Sequence, residues 1–262
     1  MVRIDGTRAV EPLEISEVWE VGEAPETFPS GVSAMDGTSR AAAEERLVHV
    51  PAGGVVLEGN LDVPAAARGV VLFAHGSGSS RHSSRNRFVA EVLREAGLAT
   101  LLIDLLTAEE ETVDLRTAHL RFDIGLLAER LVGTADWLGE SPWTRGLRVG
   151  LFGASTGGGA ALVAAARRPG AVGAVVSRGG RPDLAGDALP HVRAPTLLIV
   201  GGDDVPVIGM NRDAMARMRC EVRLEIVPGA SHLFGEPGKL EEVARLARDW
   251  FLRHLPTARD GG

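Results

Sequence analysis

The hydrophobic pattern of the chain changes near residue 45. From there to about residue 254, short apolar runs alternate with longer amphipathic segments. Short apolar or alternating runs predict strands, whereas apolar residues spaced three and four positions apart predict helices. The predicted strands cover residues 47–50, 55–63, 69–75, 99–105, 148–153, 171–176, 196–201 and 223–227. The predicted helices cover residues 85–96, 124–138, 155–168, 210–218 and 240–254.

The predicted strands are of two types. The first two alternate apolar and polar residues, which is typical of half-buried antiparallel strands, whereas later runs such as 70–73 and 197–200 are continuously apolar. Strands of the second type, alternating with helices, predict an α/β fold. We expect a mostly parallel, doubly wound sheet of about eight strands with helices on both faces. The connection at residues 177–195 has room for about one short helix, so no large cap domain is expected.

Residues 1–44 have a different composition from the rest of the chain. They are rich in Glu, Pro, Gly and Ser, with a few larger apolar residues scattered among them, such as Ile15, Val18, Trp19, Val21 and Phe28. We therefore predict an N-terminal arm at 1–44, a single α/β domain at 45–256 and a tail at 257–262. The arm is either loosely ordered or docked on the domain, or on a second subunit, through Trp19.

Composition and charge narrow the function classes. The formal net charge is −7 and there is no basic stripe, so no nucleic-acid partner is expected. The single cysteine, Cys220, excludes an internal disulfide. The first 20 residues contain no apolar run, and no apolar stretch approaches the roughly 18 residues of a membrane helix. We expect a cytoplasmic monomer or homodimer without a membrane partner. The absence of tyrosine excludes mechanisms that need a tyrosine acid, base or nucleophile.

The strongest chemical signal is the sequence Gly-Ala-Ser-Thr-Gly at residues 153–157. It lies between a predicted strand and a predicted helix, where a Gly-x-Ser-x-Gly turn is typical of a nucleophile elbow. Such a tight, strained turn projects the hydroxyl of Ser155 above the sheet. The competing interpretation is a dinucleotide-binding glycine loop. That loop should follow the first strand of the fold, whereas this one follows about the fifth. The reductases that carry it also require a catalytic tyrosine, and the chain has none.

A second glycine-rich loop, His-Gly-Ser-Gly-Ser-Ser at residues 75–80, follows the strand at 69–75. Acyl transfer passes through an oxyanion that two backbone N–H groups can stabilise. We expect one from Thr156, which follows the nucleophile, and the other from Ser77. An ordinary glycine turn is the structural alternative for this loop.

Two later loops supply a candidate base and a candidate acid. His232 lies in Gly-Ala-Ser-His at residues 229–232, and Asp203 and Asp204 follow the strand at 196–201. A serine hydroxyl is a poor nucleophile until a base removes its proton, and histidine does this best near neutral pH. A carboxylate then fixes the tautomer of the histidine.

Together these four loops resemble the α/β-hydrolase family, and within it the dienelactone-hydrolase-like branch, over residues 47–254. The chain order Ser155, Asp204, His232 is that of the family. In related hydrolases the acid lies three residues before a valine, and Asp204 lies three before Val207, which favours Asp204 over Asp203. Dienelactone hydrolases proper use a cysteine nucleophile, whereas this elbow carries serine, so their specificity is not implied. Cys220 is expected to be a packing residue.

These residues predict a serine hydrolase that cleaves a small-molecule carboxylic ester through an acyl-enzyme, without a cofactor or a metal ion. Ser155 is the expected nucleophile, His232 the base and Asp204 the acid that orients it. Two alternatives remain. One is an amidase or peptidase with the same triad, and the other is a catalytically silent binding protein on a hydrolase scaffold.

Candidates for substrate binding come from the same loops. Arg178 follows a strand that should end near the site, and we expect it to bind an anionic group of the substrate; an ion pair with Asp183 or Asp104 is the structural alternative. Arg81 and His82 follow the oxyanion loop, and a solvated loop charge is the alternative for Arg81. The apolar residues expected to line the site are Leu105, Leu106, Val205, Val207, Leu233 and Phe234.

Overall fold

Eight strands form one sheet in the computed structural model of the chain, which describes residues 45–255. The strands are β1 (Arg46–Ala52), β2 (Val55–Asp62), β3 (Val70–Ala74), β4 (Ala99–Ile103), β5 (Val149–Ala154), β6 (Val172–Arg178), β7 (Thr196–Gly201) and β8 (Val222–Val227). Each overlaps a strand predicted from the sequence. The predicted arm at 1–44 and the predicted tail at 257–262 lie outside the described residues.

The strand order is β1-β2-β4-β3-β5-β6-β7-β8. The pairs β1–β2 and β2–β4 are antiparallel, and every other pair is parallel. Every residue of β3 to β7 is buried, as expected for strands that are covered on both faces. Because β3 to β8 run in the same direction, their carboxyl ends lie at one edge of the sheet, where open α/β sheets place their ligands.

Helices cover both faces of the sheet. They are α1 (Ser84–Glu95), α2 (Ala108–Thr117), α3 (Ile124–Glu140), α4 (Thr156–Arg167), α5 (Val205–Arg217) and α6 (Lys239–His254). Apolar residues of α1 and α6 form one core cluster with the strands, and those of α3, α4 and α5 form another. The predicted doubly wound architecture is therefore confirmed. Among residues 45–255, no helix is both long enough and apolar enough to cross a membrane.

Helix α2 was not predicted, because it has no apolar stripe. Its one buried side chain is Asp114, whereas Leu115 is 73% exposed. A capping box joins Thr107 and Glu110 at its start. The Thr-x-x-Glu spacing was therefore a usable signal for this helix.

Helix α5 and the connection after β6 differ in detail from the predicted elements. Helix α5 begins at Val205, five residues before its predicted start, and Pro206 occupies its first turn, where proline is favoured. The connection at 177–195 contains 3-10 turns over Pro182–His191, broken at Gly186. The expectation that no cap domain follows β6 is confirmed.

Candidate active site

Ser155 lies in a strained turn between β5 and α4. Its φ of 49° and ψ of −121° are values that a serine rarely adopts. Two segments hold this conformation. The Ser155 N–H donates to the carbonyl oxygen of Arg178 (3.2 Å), and the Ser155 carbonyl oxygen accepts from the N–H groups of Gly158 and Arg181, both at 3.0 Å. The backbone therefore has the geometry of a nucleophile elbow.

Gly157 allows the start of α4 to approach the end of β3. A Cβ atom at this position would overlap the carbonyl oxygen of Ala74 and lie 2.5 Å from that of His75. No side chain fits in that space, so the second glycine of the Gly-x-Ser-x-Gly sequence is required by backbone packing.

The loop at residues 75–80 lies directly beside the elbow. A Cβ atom placed on Gly76 would be 3.1 Å from the Cβ atom of Ser155. His75 fastens this loop, because its Nε2 accepts from the N–H of Leu105 (3.1 Å) and its Nδ1 lies 2.9 Å from the Gly76 carbonyl oxygen. The first bond requires a lone pair on Nε2, so Nδ1 carries the proton and donates to Gly76.

Ser77 and Thr156, the predicted oxyanion donors, directly follow Gly76 and Ser155, the two residues that approach each other between the loop and the elbow. Ser77 is half-buried and Thr156 is buried. Among residues 45–255, no backbone carbonyl accepts a hydrogen bond from the N–H of either residue. This agrees with the predicted role of the two groups, which stays a prediction.

The structure brings Asp204 and His232 together. Oδ2 of Asp204 lies 2.7 Å from Nδ1 of His232. A carboxylate only accepts, so Nδ1 carries the proton in this hydrogen bond. Asp203 is exposed, and its backbone N–H donates to the carbonyl oxygen of Ala230 (3.0 Å). Of the two neighbouring aspartates, Asp204 is thus the one that contacts the histidine.

The imidazole of His232 has a lowered pKa. Burial lowers the pKa of its imidazole below the ordinary value, and the nearby charges of Arg178 and Arg85 lower it further. The hydrogen bond and the charge of Asp204 act in the opposite direction without outweighing the burial. A histidine with this pKa is unprotonated near pH 7, as a general base requires.

The sequence did not indicate a role for Glu236, which accepts a hydrogen bond from the backbone of the loop that carries His232. Its Oε2 accepts from the N–H of Ser231 (3.1 Å), and this bond lowers the pKa of the Glu236 carboxyl group. The only available signal was a carboxylate four residues after the histidine, and that spacing has no specific meaning in a loop.

Arg178, the predicted anion-binding residue, is 6% exposed at the end of β6, and its Nη2 donates to Oδ1 of Asn86 (3.3 Å). The two acids considered as its partners bind other arginines. Asp183 forms a two-pronged ion pair with Arg181 at 2.7 and 2.9 Å, and Asp104 pairs with Arg81.

Arg81 and His82 are placed differently. Arg81 also binds Glu58 (2.8 Å) and Oδ1 of Asn60 (3.0 Å), so its guanidinium joins the segment that follows the loop at residues 75–80 to β2 and to the end of β4. This network gives Arg81 a structural role in place of the solvated charge considered as its alternative. His82 is exposed, and its backbone N–H donates to Oγ of Ser80 (3.2 Å).

The expected apolar lining is partly wrong. Leu105, Val207 and Phe234 are buried in the protein interior, whereas Val205 is 69% exposed. Leu106 and Leu233 are half-buried. Alternation of apolar residues does not distinguish a side chain that faces the core from one that faces a cleft.

Cys220 lies before β8, at the amino edge of the sheet and away from the elbow. It is partly buried, and burial raises the pKa of its thiol. A raised pKa disfavours the reactive thiolate. Within residues 45–255, no three His, Cys, Asp or Glu side chains form a group that could hold a metal ion.

Comparison with known proteins identifies relatives of this chain. The family model described as the dienelactone hydrolase family matches residues 57–256. The crystal structure of a dienelactone hydrolase from Anabaena variabilis is 68% identical, with a TM-score of 0.81, and the match covers 82% of this chain and 99% of that one. The structure of Est1E from Butyrivibrio proteoclasticus is 16% identical, with a TM-score of 0.66 and coverage of 79% and 98%, and shares the fold.

Two curated relatives from strains of Mycobacterium tuberculosis are 58% identical over 222 residues. They are provisionally named phosphoribosyl transferases. The match covers 85% of this chain and 49% of each relative, so the chain spans about half the length of these proteins.

Proposed function

The chain belongs to the dienelactone hydrolase family, and from that premise we propose that it is a serine hydrolase that cleaves a carboxylic ester through an acyl-enzyme. One observation carries the proposal. The strained turn at Ser155 and the 2.7 Å contact between Asp204 and His232 lie at the same edge of the sheet. A nucleophile, a base and an orienting acid at one edge are the parts that acyl transfer needs.

The proposed reaction has two halves. His232 Nε2 removes the proton of the Ser155 hydroxyl as Oγ attacks the ester carbonyl carbon. The N–H groups of Ser77 and Thr156 stabilise the resulting oxyanion, and Asp204 stabilises the imidazolium. Collapse breaks the bond to the alcohol oxygen, which takes the proton from His232, and leaves the acyl group on Ser155. Water, activated by the same histidine, then releases the acid and restores the serine.

The surroundings of Ser155 support serine as the nucleophile of this chain. The neutral His232 matches the needs of a hydroxyl nucleophile, which must be deprotonated during attack. The single cysteine lies at the other edge of the sheet, and its thiol pKa is raised. The dienelactone specificity in the name of the Anabaena variabilis relative is not extended to this chain.

An amidase or peptidase with the same triad is the nearest alternative. It would need His232 to protonate a poorer leaving group. Side-by-side assay of an ester and an anilide with the same acyl group distinguishes the two activities. We expect the ester to be hydrolysed far faster, and comparable rates would favour the amidase. Phosphoribosyl pyrophosphate, incubated together with a purine or pyrimidine base as acceptor, tests the name of the longer relatives, and we expect no release of pyrophosphate.

A fluorophosphonate probe tests the proposed nucleophile and the silent-scaffold alternative together. An activated serine forms a phosphonyl ester and releases fluoride, whereas a silent scaffold does not react. We expect the label on the peptide that contains Ser155, absent from Ser155→Ala and retained in Ser84→Ala, whose replaced serine is exposed on α1. Ser155→Ala should also lower ester turnover by about 10⁶. Ester turnover within about tenfold of the unmodified protein would contradict the elbow assignment.

A further inference from the structure

The loop at residues 178–181, between β6 and the following 3-10 turn, supports Ser155 on both sides. The Arg178 carbonyl oxygen accepts from the N–H of Ser155, and the Arg181 N–H donates to the carbonyl oxygen of Ser155. Both bonds act on a residue with a positive φ. A displacement of this loop would therefore displace the proposed nucleophile.

The same loop also contacts His232. Gly179 has a φ of +52°, and a Cβ atom at this position would be 3.0 Å from the His232 carbonyl oxygen and 3.5 Å from both Nδ1 and Cε1 of its ring. The Gly179 N–H donates to the carbonyl oxygen of Ile199 in β7 (2.8 Å). The imidazole thus packs against backbone that is continuous with the support of Ser155.

Asn211 anchors this loop from α5. It is fully buried, and its Nδ2 donates to the carbonyl oxygens of Gly180 (3.1 Å) and Val207 (2.8 Å). Because both neighbours are acceptors, the orientation of the amide is fixed. Its Oδ1 is buried with no hydrogen-bond partner among the described residues. An apolar side chain would avoid the cost of that buried oxygen, so packing alone does not explain an asparagine here.

Helix α5 also carries the proposed acid at its start. Asp204 is the residue that caps α5, and its carbonyl oxygen accepts from the N–H of Ile208 (3.0 Å). Asn211 lies two turns further along the same helix. The Asn211–Gly180 hydrogen bond therefore links the helix that begins at Asp204 to the loop that supports Ser155 and packs on His232.

We infer that Asn211 is a positioning residue, which holds the loop at 178–181 against α5 and so sets Ser155, His232 and Asp204 at reacting distance. The inference rests on the proposed hydrolase function. A misplacement of about 1 Å in such a group can cost about 10²-fold in rate. The effect should fall on kcat, because Asn211 is fully buried and its amide donates to the backbone carbonyls of Gly180 and Val207.

Asn211→Leu tests this role, because it keeps the branching of the side chain, with somewhat larger methyl groups, and removes both hydrogen bonds. We expect kcat to fall by about 10- to 100-fold with little change in KM. If the leucine variant does not fold, Asn211→Ser is tested in its place. A serine can still bind the Val207 carbonyl but cannot reach Gly180, so kcat should fall by the same amount. Thr134→Val is the matched control, since this buried hydroxyl bonds Arg130 within α3 and has no link to the loop. Its kcat should be unchanged.

Titration of the His232 ring by NMR gives a readout that does not depend on turnover. Loosening of the loop would admit water to the imidazole, so the pKa of His232 should rise toward its ordinary value in both Asn211 variants and stay unchanged in Thr134→Val. Folded Asn211 variants with the original kcat and the original His232 titration would overturn the inference, as would failure of both variants to fold. Failure of the unmodified protein to take the fluorophosphonate label would instead contradict the proposed function.

Discussion

Ser155 has a backbone conformation that costs of order 1–3 kcal/mol for a residue with a side chain. The surrounding structure sustains it through hydrogen bonds to Arg178 and Arg181. Strain at a single residue that the neighbouring structure maintains is a common feature of active sites. Three further properties can be tested at the residue scale: the choice between two aspartates, the protonation of His232 and the charge of Arg178.

The contact between Asp204 and His232 predicts different effects for the two neighbouring aspartates. Asp204→Asn should lower kcat by up to about 10⁴, because an amide cannot hold the histidine tautomer or stabilise the imidazolium. Asp203→Asn is the matched control, since Asp203 is exposed and its side chain is one position from the contact. Steady-state kinetics on both variants checks this assignment, and a larger loss in Asp203→Asn would reverse it.

The lowered pKa of His232 predicts the acid limb of the pH profile. The base acts only when it is unprotonated, so kcat/KM should fall as the pH drops through the His232 pKa. Because that pKa lies below its ordinary value of about 6.5, the midpoint of the limb should also lie below it. Arg85→Gln removes one charge that disfavours the imidazolium and should move the limb to higher pH. A limb at or above pH 6.5 in the unmodified protein would contradict this account.

Arg178 is the residue for which we predict an effect on substrate choice. It lies buried at the end of β6, its Nη2 donates to Oδ1 of Asn86 (3.3 Å), and its charge lowers the pKa of His232. If its guanidinium binds an anionic group of the substrate, Arg178→Ala should raise KM for an ester that carries a carboxylate and leave KM for a neutral ester of equal size little changed. Arg94→Ala removes an arginine of α1 that pairs with Asp62 of β2, and it should change neither KM. Equal losses for both esters in Arg178→Ala would indicate a structural arginine.

At the scale of elements, the site depends on how closely α4 approaches β3. Gly157→Ala would force a Cβ atom into the carbonyl oxygens of Ala74 and His75, so we expect a loss of about 1–3 kcal/mol in the free energy of unfolding. Gly139→Ala in α3 is the control, because no atom lies within 4 Å of its added Cβ. It should gain up to about 1 kcal/mol. Urea unfolding measures both, and equal stability in the two variants would contradict the packing argument.

Elements that bury an apolar face could be predicted from the hydrophobic pattern, whereas elements held by polar contacts leave no such pattern. The strands β3 to β7 and the helices α1, α3, α4 and α6 show this in their hydrophobic pattern. Helix α2 is fixed by its capping box and by the ion pair of Glu110 with Arg130 (2.7 Å), and neither produces a periodic pattern. The early start of α5 depends on Pro206, whose favoured position in a first turn is visible only once the preceding loop is known.

At the scale of the whole molecule, parallel strands explain why loops far apart in sequence could be assigned to one site. Once β3 to β8 are read as parallel, the loops that follow them must share an edge. That rule places Ser155, Asp204 and His232 together without any knowledge of side-chain contacts. It does not give the hydrogen-bond partners of Arg81, Asn211 and Glu236, because these depend on side-chain distances between elements that a sequence pattern does not encode.

Acid quenching during hydrolysis of a p-nitrophenyl ester, followed by mass spectrometry of the protein and its peptides, tests the acyl-enzyme on Ser155 most directly. We expect a burst of p-nitrophenol and a mass increase equal to one acyl group, located on the peptide that contains Ser155 and absent from Ser155→Ala. Steady turnover with no adduct on that peptide, or an acyl group on Cys220 instead, would contradict a serine nucleophile at the elbow.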